Sequence, residues 1–408
     1  MSTLRSSDHV IVVGGGLAGW RFVEALRREG YDGALTLIGD EPYAPYDRPP
    51  LSKQVLSGKW HVEKTLLATP ALVEKCGVTM HLGVPVTDLD VAATTVRLRN
   101  ETAISGTHVV IATGAKARRL PFSADAQIHT VRSRDDVFGL NEELSSLPAA
   151  SVIAIIGGGF IGAEVATSLH SRGFVPLVLE AAARPLVNVL GPEVSAWLAG
   201  LAGDAGIDLR NEQRIADVVA TDDGLVVVFA DGGTLAAAAV IVGAGAVTND
   251  EWLKTSGLTI DNGVVVDENL IATERIGAIG DVARFMWRST TGTELVRIEH
   301  WQVANDHAAH LARFWTGGVT PAALMVPYFW SDQYGKKIQM LGHAKPTDKV
   351  TRVIGSSEEG KWVGLYSRDG IVTGVVALSQ PRALMLSKIV LDAPTTLDEA
   401  LERSPWAS

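Results

Sequence analysis

Two copies of one glycine-rich pattern constrain the fold of this chain more than any other feature of its sequence. Each copy has an apolar run rich in β-branched residues, then glycines spaced as G-x-G-x-x-G, then a stretch with helical apolar periodicity. The glycines are Gly14, Gly16 and Gly19 in the first copy and Gly157, Gly159 and Gly162 in the second. The copies keep one register, 143 residues apart, as far as Gly30 and Gly173, which we interpret as helix caps.

A physical requirement explains why each position of the pattern is a glycine. The first allows a tight turn, the second lets the backbone approach a pyrophosphate, and the third lets the helix lie close to the strand. The phosphates then lie at the helix N-terminus, where free N–H groups and the helix dipole favour negative charge. One such pattern occurs in many α/β proteins, but two in one register predict an α/β chain with two Rossmann-like, dinucleotide-binding domains. Two purely structural turns are the alternative.

Carboxylates follow each copy at the end of the next predicted strand. Asp40 and Glu41 end the second strand, and either could accept hydrogen bonds from an adenine ribose; we favour Asp40. Glu180 holds the matching place in the second copy and favours NAD over NADP, because a 2′-phosphate would meet its charge, although Arg184 would weaken that preference. Glu164, in the first turn of the second helix, could simply be stabilised by the helix dipole.

The composition narrows the class of protein. With 408 residues, 47% of them hydrophobic and 20% charged, the chain has the make-up of a globular protein of two or three domains. A formal net charge of −10 without a long basic run argues against nucleic acid as a partner. Cys76 is the one cysteine, which excludes a cysteine-ligated iron–sulfur cluster and a redox pair, and we interpret it as a small buried residue.

The sequence carries no signal for export or for a membrane. Its first residues are polar and lack the apolar core of a signal peptide. No apolar run approaches the length of a membrane span. We therefore predict a cytoplasmic protein with no membrane partner.

Two segments carry charged side chains whose role the residues leave open. Prolines give residues 42–53 a rigid, extended path that holds Arg48 and Lys53, either beside a pyrophosphate or flavin ring or as solvated bases of a surface loop. Asp281 follows an apolar strand that stops at Gly280, where it could cap the next helix or bind a ligand hydroxyl.

Three histidines in one predicted helix invite a metal interpretation. His300, His307 and His310 lack cysteine or carboxylate partners at zinc-ligand spacing, so we predict no metal site. We place His307 and His310 on the surface of that helix.

The sequence changes character beyond residue 325. Short strand-like runs alternate with glycine and polar turns, and a helix begins near Arg382. We predict a separate α+β domain there. Trp330 either faces a cofactor or belongs to the core of this domain.

Six motifs occur in one order along nearly the whole chain. They are Gly14-x-Gly16-x-x-Gly19, Arg48-Pro-Pro-Leu-Ser-Lys53, Ala112-Thr-Gly114, Gly157-x-Gly159-x-x-Gly162-x-Glu164, Gly280-Asp281 and Trp330-Ser-Asp-Gln333. This set closely resembles the FAD-dependent NADH:ferredoxin reductases of bacterial aromatic-ring dioxygenases and of cytochrome P450 systems. The resemblance implies a glutathione-reductase-like fold, with an FAD-binding domain in two parts, an inserted NAD-binding domain and a C-terminal α+β domain. The implied boundaries are 1–118 and 246–325 for FAD, 119–245 for NAD and 326–408 for the last domain.

The resemblance also implies roles for individual residues. The FAD-binding residues would be Gly14, Gly16, Leu17, Ala18, Gly19, Asp40, Arg48, Lys53, Val84, Thr113, Gly114, Arg132, Asp281 and Trp301. The NADH-binding residues would be Gly157, Gly159, Phe160, Ile161, Gly162, Glu164 and Glu180. The candidate catalytic residues are Lys53 near the flavin N5, Glu164 paired with Lys53, and Trp330 beside the nicotinamide. Asp281 would hold the ribityl chain.

The activity implied by the resemblance is electron transfer. NADH would pass a hydride to FAD, and the electrons would leave one at a time to a [2Fe–2S] ferredoxin that serves an oxygenase. Ferredoxins of this kind are usually acidic, so an acidic reductase needs a local basic patch. The candidates are Arg288, Arg297, Arg313, Lys336 and Lys337, with scattered solvated charges as the alternative.

Two other functions are compatible with the same motifs. An NADH oxidase or rubredoxin reductase would differ only in its electron acceptor. An NADH-binding signalling flavoprotein that resembles apoptosis-inducing factors belongs to another class. Disulfide reductases with this fold are disfavoured because the chain has no cysteine pair.

Overall fold

The computed structural model describes residues 3–222, 224–318, 325–356 and 359–407. The chain forms two compact units. The first comprises Met1–Asp47, Thr65–Lys116 and Thr248–Phe329, and the second comprises Arg48–Lys64, Ala117–Val247 and Trp330–Ser408. Each unit therefore contains one copy of the glycine pattern.

Helices are distributed along both units. In the described residues the α-helices are α1 (Leu17–Arg28), α2 (Pro70–Cys76), α3 (Arg134–Ser146), α4 (Phe160–His170), α5 (Val187–Asp204), α6 (Trp301–Trp315), α7 (Pro381–Leu386) and α8 (Leu397–Arg403). A π-helical turn spans Leu51–Val55. The helix predicted near Arg382 is α7.

The strands are short and numerous. Up to the second glycine pattern they are β1 (His9–Val13), β2 (Ala34–Gly39), β3 (Val78–Leu82), β4 (Val86–Asp90), β5 (Thr95–Leu98), β6 (Ala103–Ser105), β7 (His108–Ile111), β8 (Ala115–Ala117) and β9 (Val152–Ile156). They continue with β10 (Val175–Leu179), β11 (Asp208–Arg210), β12 (Ile215–Thr221), β13 (Gly224–Phe229), β14 (Thr234–Ala237), β15 (Ala239–Val242), β16 (Ala246–Thr248), β17 (Val264–Val266), β18 (Ile271–Thr273), β19 (Ile276–Ala278), β20 (Ala283–Ser289) and β21 (Gly292–Val296). The last are β22 (Tyr328–Gln333), β23 (Lys336–Gly342), β24 (Lys349–Ser356), β25 (Lys361–Arg368) and β26 (Ile371–Leu378).

The first unit is built on a six-stranded sheet in the order β18-β19-β7-β1-β2-β3. All neighbours pair in parallel except β18 and β19, which are antiparallel. Val10, Ile11 and Val12 of the central strand are fully buried. A run that is apolar at every position suits a parallel strand covered on both faces. The predicted strand, turn and helix of the first copy are thus present as β1 and α1.

Helices α1 and α6 pack against each other in the first unit. The ring of Phe22 on α1 meets that of Trp315 on α6 edge to face, with centroids 5.7 Å apart. Such aromatic pairs stabilise packing beyond the apolar area that they bury. The contact holds the first fingerprint helix against a second, distant segment of the chain.

The second unit contains a parallel sheet in the order β11-β10-β9-β15, with α4 following β9. This repeats the strand–turn–helix arrangement of the first unit, as the second glycine pattern predicts. An antiparallel sheet of β12, β13 and β14 is added to it. Strands β9, β10 and β15 are again continuous apolar runs, with Ile153, Ala154 and Ile155 fully buried, whereas the edge strand β11 is Asp-Leu-Arg.

The C-terminal part of the second unit is a five-stranded sheet in the order β22-β23-β26-β25-β24, with α7 and α8 after it. Helix α5 packs here, and the Tyr366 hydroxyl of β25 donates a 2.8 Å hydrogen bond to the carbonyl of Leu190. That carbonyl lies at a kink in α5, where Gly191 has non-helical backbone angles and Pro192 follows. Burial raises the pKa of Tyr366, so the hydroxyl stays a neutral donor.

Candidate active site

The two glycine turns have nearly the same geometry. Gly14 and Gly157 have φ values of +128° and +107°, a region that side chains rarely adopt. A Cβ on Gly19 would lie 2.0 Å from the carbonyl oxygen of Gly14, and a Cβ on Gly162 would lie 2.0 Å from that of Gly157. The first and third glycines are therefore required by the fold of each turn.

The middle glycine of each turn is different. A Cβ on Gly16 would meet no protein atom within 4 Å, and one on Gly159 would approach only the Gly243 carbonyl, at 3.9 Å. Both glycines are the residues before a helix, and neither helix start has a side-chain cap. Free N–H groups beside open space suit the phosphates of a dinucleotide, so the residues present at each turn fit a cofactor such as FAD or NAD.

The carboxylates predicted to bind ribose are held at strand ends. Glu180 follows β10 and accepts hydrogen bonds from the N–H groups of Gly158 and Ala182, each at 2.8 Å. Asp40 follows β2 and is exposed, whereas its neighbour Glu41 accepts a 2.5 Å hydrogen bond from the Tyr46 hydroxyl. Asp40 Oδ1 itself accepts a 3.1 Å hydrogen bond from the Glu41 N–H, and Asp40 as the ribose ligand stays a prediction.

A buried carboxylate gathers four donors in the second unit. Glu164, whose side chain is only 4% exposed, accepts hydrogen bonds at Oε2 from Ser52 Oγ at 2.6 Å and from Lys53 Nζ at 2.8 Å. Its Oε1 accepts from Ser331 Oγ at 2.6 Å and from the Asp332 N–H at 3.3 Å. A buried carboxylate needs such partners, because removing it from water without them costs several kcal/mol. We call these five residues the Glu164 cluster.

The π-helical turn presents two members of the Glu164 cluster. Two prolines precede it, and the N–H groups of Val55 and Leu56 reach back five residues to the carbonyls of Pro50 and Leu51. The turn is held further by Ser168 of α4, whose hydroxyl donates to the Ser52 carbonyl at 2.7 Å. π-Helical turns are rare and often lie at functional sites.

Helix α4 carries the side chains that contact the π-helical turn and the residue after β22. Glu164, Thr167 and Ser168 share one face because they are three and four residues apart. Thr167 Oγ1 accepts from the N–H of Tyr334, 2.9 Å away, which follows β22. This polar stripe in an otherwise apolar helix was a sequence signal that we did not use.

Three further residues of this region were also missed, namely Ser52, Ser331 and Gln333. All three lie inside the motifs quoted above, from which only Arg48, Lys53 and Trp330 were chosen. Trp330 is half-buried. Alternation along β22 places Ser331 and Gln333 on one face, and the intervening Asp332 instead pairs with Lys337 at 3.0 Å.

The remaining predicted cofactor residues divide between the units. In the first unit Thr113 Oγ1 donates to the Asn249 carbonyl at 2.7 Å, next to Gly114, and Trp301 Nε1 donates to Asp47 Oδ1 at 2.7 Å. In the second unit the guanidinium of Arg48 donates to the Arg132 carbonyl at 2.7 Å. The first unit holds Gly14, Gly16, Leu17, Ala18, Gly19, Asp40, Val84, Thr113, Gly114, Asp281 and Trp301, and the second holds Arg48, Lys53 and Arg132. The predicted NADH residues all lie in the second unit.

His307 is not on the helix surface, so that prediction was wrong. Its side chain is fully buried on α6, its ring meets Phe285 edge to face, and its Nδ1 accepts a 3.2 Å hydrogen bond from the N–H of Gly280. Burial, with a smaller contribution from His310, lowers the pKa of His307 to about 3. Neutral His307 thereby holds the turn that carries Asp281.

This burial makes the stability of the protein depend on pH. An unfolded histidine binds a proton below about pH 6.5, whereas folded His307 stays neutral, so stability falls as the pH drops from 6.5 towards 3. At pH 5 the loss from this group is about 2 kcal/mol. His307→Asn keeps a hydrogen-bond acceptor but does not titrate. Between pH 7 and pH 5 its unfolding free energy should therefore fall by about 2 kcal/mol less than that of the wild type. Urea unfolding at both pH values tests this.

Replacing the exposed His170 with asparagine is the matched control, because this histidine lies on the surface of α4. It should leave the pH dependence unchanged. An identical pH dependence in wild type and His307→Asn would contradict the prediction.

The predicted docking cations are mostly engaged with acids. Arg297 pairs with Glu299 at 2.5 Å, and Arg313 with Glu29 at 3.5 Å. Lys337 pairs with Asp332, as described above. Lys336 precedes Lys337 in the second unit, whereas Arg288 lies in the first unit.

Cys76 is buried, as predicted, and burial raises the pKa of its thiol. Among the described residues, no three His, Cys, Asp or Glu side chains are grouped so that they could hold a metal ion. None of the helices in the described ranges combines the length and apolar character that crossing a membrane requires.

Two dinucleotide-type turns on parallel sheets, with a lysine–glutamate pair largely shielded from water beside the second, are typical of a nucleotide-dependent oxidoreductase. Comparison with known proteins agrees. Residues 8–308 match the pyridine nucleotide-disulphide oxidoreductase family, and residues 328–405 match the reductase C-terminal family.

Three proteins that are similar to this chain over nearly its whole length have names that describe reductases. Rhodocoxin reductase of Rhodococcus erythropolis is 34% identical, over 96% of this chain and 92% of its own. The ferredoxin reductase component of chlorobenzene dioxygenase from Cupriavidus sp. (strain PS12) is 34% identical, over 97% of this chain and 95% of its own. The crystal structure of the covalent putidaredoxin reductase–putidaredoxin complex has a TM-score of 0.90 at 31% identity, covering 97% of this chain and 95% of that chain.

The chain therefore belongs to the pyridine nucleotide-disulphide oxidoreductases, within the family of FAD-dependent ferredoxin reductases. It is an oxidoreductase whose cofactors are FAD and NAD(H). The predicted family, fold class, enzyme class and cofactors are thus confirmed.

Proposed function

We propose that this chain takes a hydride from NADH onto FAD and passes the electrons singly to a [2Fe–2S] ferredoxin that serves an oxygenase, an aromatic-ring dioxygenase or a cytochrome P450, in the cytoplasm. The observation that carries the proposal is the Glu164 cluster. It holds Lys53 against Glu164 of α4, the helix that follows the second glycine pattern. The names of the relatives support ferredoxin as the acceptor.

We propose the residue roles that the motifs predict. The first turn, with Asp40, Val84, Thr113, Asp281 and Trp301, binds FAD together with Arg48, Lys53 and Arg132. The second turn, with Phe160, Ile161, Glu164 and Glu180, binds NADH. Bound FAD supplies an acceptor for a hydride and a donor of single electrons. The protein would orient the two cofactors, and Lys53 would contribute a positive charge beside the flavin when FAD is bound.

We propose the domain boundaries on the same basis. Residues 1–118 and 246–325 form the FAD-binding domain, residues 119–245 the NAD-binding domain, and residues 326–408 the C-terminal domain. Trp330, at the start of the last domain, borders the nicotinamide and the path by which electrons leave.

Anaerobic stopped-flow absorbance tests the proposal. NADH is mixed with the FAD-loaded protein, and oxidised [2Fe–2S] ferredoxin is then added. We expect fast flavin bleaching followed by ferredoxin reduction that is faster than reoxidation by oxygen. Bleaching that only oxygen reverses would identify an NADH oxidase, and ferredoxin would then be the wrong acceptor. Slow bleaching with a long-lived charge-transfer band would identify a signalling flavoprotein.

The choice of NADH over NADPH gives a separate prediction. Because Glu180 carries its charge where a 2′-phosphate would lie, Glu180→Gln should raise kcat/KM for NADPH about tenfold, the factor for about 1.4 kcal/mol of relieved repulsion. The same change replaces one of the two carboxylate oxygens that accept from the N–H groups of Gly158 and Ala182. Because the turn is then held less well, NADH should also bind more weakly. Steady-state kinetics with both nucleotides measure the ratio.

Glu142→Gln removes an exposed carboxylate on α3 of the same unit and should leave the NADH to NADPH ratio unchanged. If Glu180→Gln also leaves it unchanged, Glu180 does not select the nucleotide.

A further inference from the structure

The strand β22 carries two buried polar side chains, Ser331 of the Glu164 cluster and Gln333 beside it. Ser331 is 1% exposed and Gln333 is 2% exposed. Gln333 Nε2 donates to Ser331 Oγ at 3.1 Å, and Ser331 Oγ donates to Glu164 Oε1 at 2.6 Å. The three groups thus form a chain of hydrogen bonds that runs from the C-terminal sheet to α4.

The direction of this chain is set by its first member. An amide N–H can only donate, so Ser331 must accept from Gln333 and direct its own hydroxyl proton towards Glu164. Bonds in such a chain strengthen one another where water is excluded. Gln333 therefore orients Ser331, and Ser331 orients one oxygen of Glu164.

The other oxygen of Glu164 holds the lysine. A carboxylate has about four lone-pair positions, and Glu164 uses them for Ser52, Lys53, Ser331 and the Asp332 N–H. Without Ser331, Oε1 keeps only the 3.3 Å contact with the Asp332 N–H. The carboxylate could then rotate and carry the flexible lysine side chain with it.

We propose that Ser331 is a positioning residue, oriented by Gln333, through which the C-terminal domain fixes Glu164 and Lys53 for hydride transfer. The inference rests on the proposed function, because it assumes that Lys53 acts in the reaction of NADH with FAD. It assigns Ser331, the fourth residue of the segment Tyr-Phe-Trp-Ser-Asp-Gln, a role distinct from that of Trp330. Small displacements of positioned groups are enough to slow a transfer step strongly.

Ser331→Ala tests the proposal in two independent measurements. In anaerobic stopped flow, the limiting rate of flavin reduction by NADH should fall about tenfold, while the NADH concentration at half-maximal rate changes little. In the FAD-free protein, acetylation of Lys53 by acetic anhydride, followed by peptide mass spectrometry, should become about fivefold faster, the factor for one lost hydrogen bond.

Ser387→Ala is the matched control. Ser387 is also fully buried in the C-terminal part of the chain, but its hydroxyl donates to the Ala383 carbonyl of α7, the helix that it follows directly. This variant should match wild type in both measurements. Gln333→Leu should show the same two changes as Ser331→Ala to a smaller extent, which keeps the test open if Ser331→Ala folds poorly.

The outcomes separate this inference from the proposed function. If Ser331→Ala and Gln333→Leu match wild type in flavin reduction and in Lys53 acetylation, the positioning role is refuted, while fast ferredoxin reduction by wild type would still support the proposed function. If both variants change both measurements but wild type does not reduce ferredoxin, the positioning role holds and the proposed acceptor is wrong.

Discussion

The Glu164→Ala variant is expected to lose about 3 kcal/mol or more of unfolding free energy, the effect of breaking a buried ion pair. The change leaves Lys53, Ser52 and Ser331 without the acceptor that they share, and Lys53 is then a buried cation without its anion. At the proposed site it should also slow flavin reduction by NADH about 100-fold, because Lys53 is no longer held. Urea unfolding and anaerobic stopped flow measure the two effects.

Two other variants make this result interpretable. Glu164→Gln keeps the shape of the side chain but loses its charge and one acceptor, so it should lie between wild type and Glu164→Ala in both measurements. Glu142→Ala removes an exposed glutamate of α3 and should change stability by no more than about 0.5 kcal/mol. A Glu164→Ala protein as stable and as fast as wild type would show that the cluster has neither role.

Two glycines of the first turn are expected to fail in different ways when replaced by alanine. In Gly19→Ala the new Cβ would lie 2.0 Å from the Gly14 carbonyl oxygen, so α1 must move away from β1 at a cost of about 3 kcal/mol. In Gly16→Ala the new methyl meets no protein atom, and the φ of −90° is one that alanine adopts readily. The FAD-free Gly16→Ala protein should therefore be as stable as wild type.

The methyl group added in Gly16→Ala would instead occupy the space that we propose for the pyrophosphate of FAD. We expect FAD to bind Gly16→Ala at least about tenfold more weakly, which corresponds to about 1.4 kcal/mol. FAD titration by fluorescence and urea unfolding of the FAD-free proteins separate the two variants. Gly139→Ala, inside α3 and without close neighbours, is the control and should be slightly stabilising. Unweakened FAD binding by Gly16→Ala would place the pyrophosphate elsewhere.

The burial of His307 illustrates a sequence signal that we weighed wrongly. His307 lies three residues after Ala304 and four before Leu311, both of which are buried on α6. The helical period therefore places it on the apolar face, where a neutral imidazole can be buried if it finds a hydrogen-bond partner. That partner, the Gly280 N–H, precedes it by 27 residues and belongs to a different element.

The sequence by itself determined the two strand–turn–helix units, because the requirements for glycine are local. A Cβ on Gly19 would meet the Gly14 carbonyl oxygen within the same turn, and the φ of +128° at Gly14 favours glycine whatever surrounds it. A turn of that shape forms wherever these residues recur at that spacing. The buried strands β1 and β9 were equally predictable, since every position in each is apolar or nearly so.

Only the tertiary structure decided which groups surround Glu164. Its partner Ser52 lies 112 residues before it, and Ser331 lies 167 residues after it. Hydrogen bonds over such separations depend on how a π-helical turn, a helix and an edge strand pack, and no periodicity in the sequence encodes that packing. The motifs therefore predicted a lysine–glutamate pair by resemblance. The hydrogen bond from Ser331 to Glu164 could be recognised only in the folded chain.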